Sequence, residues 1–455
     1  MKKIIFISAL FSFFISNAQV LGYSDFGVLL TNENVQGTAR TMALKSAFGA
    51  LGGDLSAISI NPAGAAVFTK NQASFTLDYN QINLNTDFYG HITNNNSESF
   101  NLSQAGGILL FDGENTDGIN KITLSLNYQI VSDFKNEWLA GGVSVPTWIE
   151  DPSDSSINYT NLENQTYKNL TSGKNENLNF ALATQFDKNL FLGIALNALS
   201  VEFKEESTRQ ELANDGNGNT VDAYEFFWQN VTADGFSLSL GIIYKASQNF
   251  RLGLSYTSPT WYEVYEESNM FAEDDSDYIG YYNVLYSNDP PAYENNYNKV
   301  LAYEYNLRTP SKVTGSIAYV FGKTGLISAD ISRKNYTGIN LNPKTDFIQD
   351  NIDIDNYLTD TYKINIGTEW RLDEFSIRGG YSYEKSPYIN AIDTDNQTGY
   401  AFGIGYNFGD FVIDIAFDHS EQTDVYDFYP EFNTISAANL TENNDKVLAS
   451  LTLKF

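Results

Sequence analysis

Tyr400-Ala401-Phe402-Gly403-Ile404-Gly405-Tyr406-Asn407-Phe408, then Gly409-Asp410, then Phe411-Val412-Ile413-Asp414-Ile415-Ala416-Phe417-Asp418 reads as two alternating strands about one tight turn. A period of two sends the large apolar side chains to one face and the small or polar ones to the other. The polar set carries Asp414 and Asp418, and Lys363 and Glu369 hold matching positions in an earlier strand. A lipid-facing Lys or Arg at mid-bilayer costs about 2–4 kcal/mol, and an acid somewhat less. If the apolar face meets lipid, these charges must face a lumen.

Working outward, the same unit recurs. Ile122, Leu124, Leu126, Tyr128 and Ile130 alternate with Thr123, Ser125, Asn127 and Gln129, which places the first set on the lipid face. Tight turn signals stand at Asp112 to Gly118, Asp187-Lys188, Ser247-Gln248-Asn249, Gly322-Lys323, Asp373-Glu374 and Gly409-Asp410. Long polar gaps lie near 135–174, 207–223, 267–309, 338–359, 387–396 and 424–444. Short turns at one end and long loops at the other are the organisation of an outer-membrane β-barrel. The count is about 14 strands over residues 72–455. A soluble sandwich or propeller would alternate too, but would not require unequal loops and an export signal, and no blade-length repeat is present.

Residues 1–18 read as a signal peptide, with Lys2 and Lys3, the apolar run Ile4 to Ile15, and Ser16-Asn17-Ala18 before cleavage at Gln19. That run is shorter than the roughly 20 residues a spanning helix needs. The chain has no cysteine, so disulfide and thiolate chemistry are excluded. A net charge of −29 argues against nucleic acid or an anionic surface as partner. Aromatics at 15 % suit a barrel with interfacial girdles. The last strand, Val447, Ala449, Leu451, Leu453, Phe455, ends on an aromatic and resembles the signal read by barrel-assembly machinery.

Residues 19–71 do not alternate. They are rich in Gly, Ala and Ser around Ala47-Phe48-Gly49-Ala50-Leu51-Gly52-Gly53-Asp54 and Asn61-Pro62-Ala63-Gly64. Such composition suggests short helical turns and close packing, and the apolar content argues against a disordered tail. The expectation is a plug within the lumen. Gly37 to Phe68 resembles the N-terminal hatch of the FadL-type outer-membrane transporters of long-chain fatty acids and aromatic hydrocarbons, in a branch common in Bacteroidetes. Leu252-Gly253-Leu254-Ser255-Tyr256-Thr257-Ser258-Pro259 and the Thr309-Pro310 segment resemble that family's later strand motifs. The resemblance implies a 14-stranded barrel filled by the hatch, spontaneous uptake of a hydrophobic solute, and sideways release through a gap made by an inward strand kink. It does not locate the kink in this chain.

Enzyme chemistry finds little support. His91 and His419 are the two histidines; His419 and Ser420 are adjacent and point to opposite faces, and neither sits in a nucleophile motif. No phosphate cradle or zinc spacing is present, and no cofactor is expected. Asp274, Asp275 and Asp277, and Asp393 with Asp395, lack the Gly and terminal Glu of an EF-hand loop and read as solvated loop charge. Trp261, Tyr262, Tyr265 and Phe271 in one excursion, with Trp138 and Trp148 in another, could form an apolar ligand groove or simply a girdle and packed loops. Asn61, Pro62, Ala63, Gly64, Phe48 and Gly49 are the expected gate, with Ala63 and Gly64 approaching the wall. The expected partners are a hydrophobic solute, outer-membrane lipid and lipopolysaccharide, for a monomer. The competing readings are a general porin or a surface adhesin.

Overall fold

The computed structural model describes residues 22–32, 37–112, 119–147, 151, 154, 156–269, 281–286, 292–295, 300–427 and 435–455. The signal segment, Phe271, Trp148 and Asp274 to Asp277 lie outside the described residues. Fourteen antiparallel strands form a closed wall. In chain order they are β1 Gln72–Phe88, β2 His91–Asp112, β3 Ile119–Asp133, β4 Asn161–Phe186, β5 Leu190–Asn214, β6 Thr220–Lys245 and β7 Phe250–Thr257. They continue with β8 Lys312–Val320, β9 Gly325–Asn335, β10 Asp360–Leu372, β11 Phe375–Glu384, β12 Gln397–Asn407, β13 Phe411–Tyr426 and β14 Ala438–Lys454. Each pairs with its neighbour in sequence, and β14 closes on β1 from Gln72↔Lys454 to Asp87↔Asn439.

The faces follow the alternation. Phe402, Ile404, Ile413, Ile415 and Phe417 are exposed on the outside, while Glu369, Asp414 and Asp418 are buried inside. At the short-turn end aromatic pairs line the β8–β13 side of the wall: Phe321 stacks on Trp370 at 5.4 Å, Phe375 meets Tyr406 at 4.6 Å and Phe408 stacks on Phe411 at 4.5 Å. Tyr79, Phe100, Trp261, Tyr362 and Tyr400 stand outward near the other border. No helix among the described residues is long and apolar enough to cross a membrane. The wall does the crossing.

Two expectations need correction. Some of the polar gaps carry strand: β5 and β6 run on to a turn at 215–219, and Leu301–Arg308, inside the 267–309 stretch, pairs with Trp261–Ser268. These extensions rise past the apolar band, so their outer positions become polar and the alternation signal fades although the ladder continues. Ile130 does not face lipid. It is fully buried with Val131, where the β3–β4 register shifts between Ile130 and Ser132. A bulge breaks the two-residue period, so every later side chain of β3 changes face.

Residues 22–32 and 37–71 pass through the lumen. Helix α1, Tyr23–Thr31, lies at the long-loop end; α2, Ala39–Ala43, α3, Ala57–Ile60, and a 3₁₀ turn, Pro62–Val67, fill the middle and the short-turn end. Helix α4, Ile348–Tyr357, joins α1 in a lid. Its apolar cluster includes Phe26, Leu30, Phe203, Tyr262, Tyr305 and Phe347.

Candidate functional site

The lumen plug has two lobes. In the α2 lobe, Thr38 caps the helix by accepting from the Thr41 N–H, and the helix presents Arg40 to the far wall. Arg40 Nε lies 2.7 Å from Glu369, which also receives Arg378 Nε at 2.8 Å and Arg371 Nη2 at 2.7 Å. Arg378 extends the network to Asp414 at 2.7 Å. Lys45 pairs with Asp418 at 2.9 Å, and the Gly49 N–H donates to Asp330 at 2.9 Å. Buried carboxylates are tolerable here because each has hydrogen-bonded partners.

The second lobe is Asn61-Pro62-Ala63-Gly64 and its flanks. Pro62 begins the 3₁₀ turn and Asn61 is extended, at φ −147° and ψ 106°, as a residue before proline prefers. The Asn61 side chain, 1 % exposed, donates to the carbonyls of Gly49 at 2.7 Å and Ile242 at 3.1 Å and accepts from the Ala63 N–H at 3.1 Å. One amide therefore ties this lobe to the other lobe and to the wall. The wall gives way to meet it: a Cβ on Gly193 or Gly241 would clash with the Asn61–Ala63 backbone or side chain. Ala63 thus packs on the wall as expected. Gly64 does not; it packs within the plug, where a Cβ would lie 3.0 Å from the Gly52 Cα. Phe48 is fully buried in the α2 lobe with the Arg40 guanidinium 5.2 Å above its ring.

Between α1 above and the two lobes below lies a chamber of about 170 Å³. Its lining is mixed, with Leu30, Met42, Ile60 and Leu199 beside a group of charged and amide side chains. Lys45, Lys312, Lys334 and Lys363 face Asp330, Glu384 and Asp418, while Gln129, Asn177, Asn197, Ser237 and Ser239 line the opposite side. Lys334 Nζ donates to the Thr31 carbonyl at 2.6 Å, fixing the end of α1, and Lys363 pairs with Glu384 at 2.7 Å. Sequence reasoning found Lys363 inside but missed the grouping, because these lysines come from three strands and the plug.

The aromatic residues separate. Tyr262 is buried and lines the chamber, but Trp261 and Tyr265 point outward from the same strand, Trp261 against Phe236 at 5.1 Å. Trp138 is buried elsewhere, packed on Tyr167 at 5.2 Å and Tyr426 at 5.0 Å. They do not line one groove. His419 sits at the rim, 2.7 Å from Asp445. Among the described residues no group of three His, Cys, Asp or Glu is placed to hold a metal.

The wall is interrupted once next to the chamber. The β2–β3 ladder runs only from Asp112↔Lys121 to Gln104↔Gln129. Beyond it, β3 turns inward at Ile130, and its continuation Asn136–Gly142 ladders with β4 and, among the described residues, meets β2 only where Leu139 bonds to the Thr93 and Asn95 side chains. Val131 and Gln129 line the chamber just behind this gap.

A closed wall with apolar outer face, aromatic borders, unequal loops and a plugged polar lumen defines an outer-membrane transport barrel. The sequence comparison agrees: a family model for outer membrane protein transport proteins (OMPP1/FadL/TodX) matches residues 24–446. The chain belongs to that family, whose members are outer-membrane transporters of hydrophobic compounds. Among solved structures it resembles a Pseudomonas aeruginosa FadL homologue at 14 % identity, covering 92 % of this chain and 98 % of that one, with a TM-score of 0.58. It also resembles the monoaromatic hydrocarbon channel CymD, at 13 % identity over 93 % and 99 % of the two chains and a TM-score of 0.56. The toluene transporter TodX of P. putida follows at 14 % identity over 91 % and 98 %, with a TM-score of 0.54. No curated protein matches the chain.

Proposed function

We propose that this barrel takes up amphiphiles with one anionic head and a long apolar tail, long-chain fatty acids being the simplest case. The observation that carries the reading is the chamber's lysine group. In a chain with 27 basic and 56 acidic residues, four lysines gather around a space that holds three carboxylates. An ammonium carries three donors, so Lys45, which donates to Asp418 and to the His419 carbonyl, has a third to offer a ligand carboxylate. A cavity of about 150 Å³ holds one benzene, so the chamber suits a head group while the tail lies in the lid's apolar cluster or the wall gap. A simple aromatic hydrocarbon would leave these polar groups without compensation.

On this reading the extended long-loop end faces the medium and the ligand enters beneath α1. The head then rests on the chamber lysines, and release goes sideways between β2 and β3 into the outer leaflet. The second lobe of the plug gates the way to the periplasm. No energised step is required, since a ligand moves the plug only by binding one state more tightly than another.

Equilibrium binding of a fluorescent fatty acid to the purified barrel is expected to saturate and to weaken about tenfold or more in Lys334→Met/Lys363→Met, as loss of charge-assisted hydrogen bonds requires. Displacement by toluene with none by unlabelled fatty acid would overturn the reading. A large steady conductance of the parent protein in planar bilayers would instead support a general porin.

A further inference from the structure

The gap between β2 and β3 is not left open. Beyond Gln104 the edge of β2 has no ladder partner on the β3 side among the described residues, yet Leu102 and Phe100 on that edge face outward. Unpaired backbone exposed to lipid is strongly unfavourable. Side chains close the gap instead. Ser99 Oγ and Asn101 Nδ2, both on β2, donate to Asp133 Oδ2 at 2.8 and 3.0 Å. Asp133 Oδ1 accepts from the Lys135 N–H at 3.1 Å, and Lys135 Nζ reaches the Glu98 carbonyl at 2.6 Å. Asp133 is the last residue of β3, three positions beyond the inward turn at Ile130.

We infer that Asp133 is the latch of this opening, a positioning residue that holds β2 against β3 until ligand passes. The inference rests on the sideways route proposed above. A backbone ladder cannot part within a bilayer without stranding N–H and C=O groups, whereas a carboxylate can swing away by side-chain rotation. Its bonds to Ser99 and Asn101 would be exchanged for water of the adjoining chamber, which Gln129 and Val131 line. A salt bridge would hold more tightly; two neutral donors on one acceptor make a contact that can be broken repeatedly.

The chain has no cysteine, so thiol probes meet no background. In lipid vesicles, Val131→Cys should react with a lipid-soluble maleimide on the order of tenfold faster when combined with Asp133→Ala, the scale of one lost charge-assisted contact. Asp133→Asn keeps an oxygen for Ser99 and Asn101 but loses the charge and the acceptor of the Lys135 N–H, so its rate should fall between those of the parent and the Ala variant. Equal labelling in the parent and the Ala variant, both folded by heat-modifiability, would overturn the latch. Separately, Ser99→Cys/Asp133→Cys bridged by a short reducible bis-thiosulfonate should retain bound fluorescent fatty acid and pass it to the vesicle membrane only after reduction. Unimpeded transfer from the bridged protein would remove the sideways route itself. Blocked transfer with unchanged labelling in Asp133→Ala would leave the route standing and reject the latch alone.

Discussion

The two lobes of the plug fill the same lumen with different chemistry. The α2 lobe is gripped by charge: Arg40 on Glu369, Lys45 on Asp418 and the Gly49 N–H on Asp330. The Asn61–Val67 lobe makes no ion pair among the described residues and is held by shape, by glycines of the wall and by one side-chain amide. A buried charge network has one arrangement in which every charge is paired, and leaving it strands the others. A small-residue contact has no such penalty and can re-form after a shift. The difference teaches which lobe is tied by charge and which by shape, and on the proposed route the first anchors the plug while the second moves.

The sharpest way to break that comparison is at Glu369, which is fully buried beneath three guanidinium groups. Glu369→Ala should cost about 3–5 kcal/mol, because Arg40 and Arg378 are left buried without their acceptor. The loss should appear as a lowered unfolding temperature in detergent and as new conductance from a loosened plug. If conductance stays at the parent level, the anchor lies elsewhere.

At the other lobe, Gly241→Leu should cost about 1–3 kcal/mol through overpacking against Asn61 and Pro62. Uptake should fall while the α2 lobe stays seated, as reported by an unchanged cross-link between cysteines placed at Ala43 and Ala416, which pack together beside Gly403. Release of that cross-link would show that the lobes move as one.

The lid adds a pH dependence outside the membrane-spanning wall. Burial raises the Glu266 carboxyl to about 7, against the hydrogen bonds of Tyr305 and Ser268 that favour its ionised form. A raised acid pKa favours the folded lid below about 4.5, where both states are protonated, and that advantage declines as pH rises through 7. The change should be on the order of 2 kcal/mol. Hydrogen exchange of α1 should therefore speed up from pH 5 to pH 8 beyond its intrinsic pH trend, and Glu266→Gln should flatten the excess. An unchanged excess in the variant would assign it to another group.

Asn61→Ala removes one amide that bonds both lobes and the wall, and should cost about 1–2 kcal/mol with a several-fold drop in uptake. Normal uptake by the folded variant would leave this turn as scaffold. The smallest effect is expected at Trp261→Ala, which changes an outward girdle position and should leave binding in the chamber within error.

How far the site was legible follows from the range over which its causes act. Asp414, Asp418, Lys363 and Glu369 could be placed inside because the alternation of a strand is local and lipid excludes charge from one face. Asn61 could be marked because proline constrains the residue before it whatever surrounds them. Trp261 and Tyr265 were grouped with Tyr262 by proximity in sequence, and the same alternation then set Tyr262 apart from them.

The sequence by itself determined the barrel, its two faces and the existence of a plug, since each rests on patterns spanning a few residues. Closure of the wall decided the rest. It brought Arg40 to Glu369 across 329 positions, gathered the chamber lysines from separate strands, and turned one bulge at Ile130 into a gap beside that chamber. No local pattern encodes these, because each pairing exists only when the last strand meets the first.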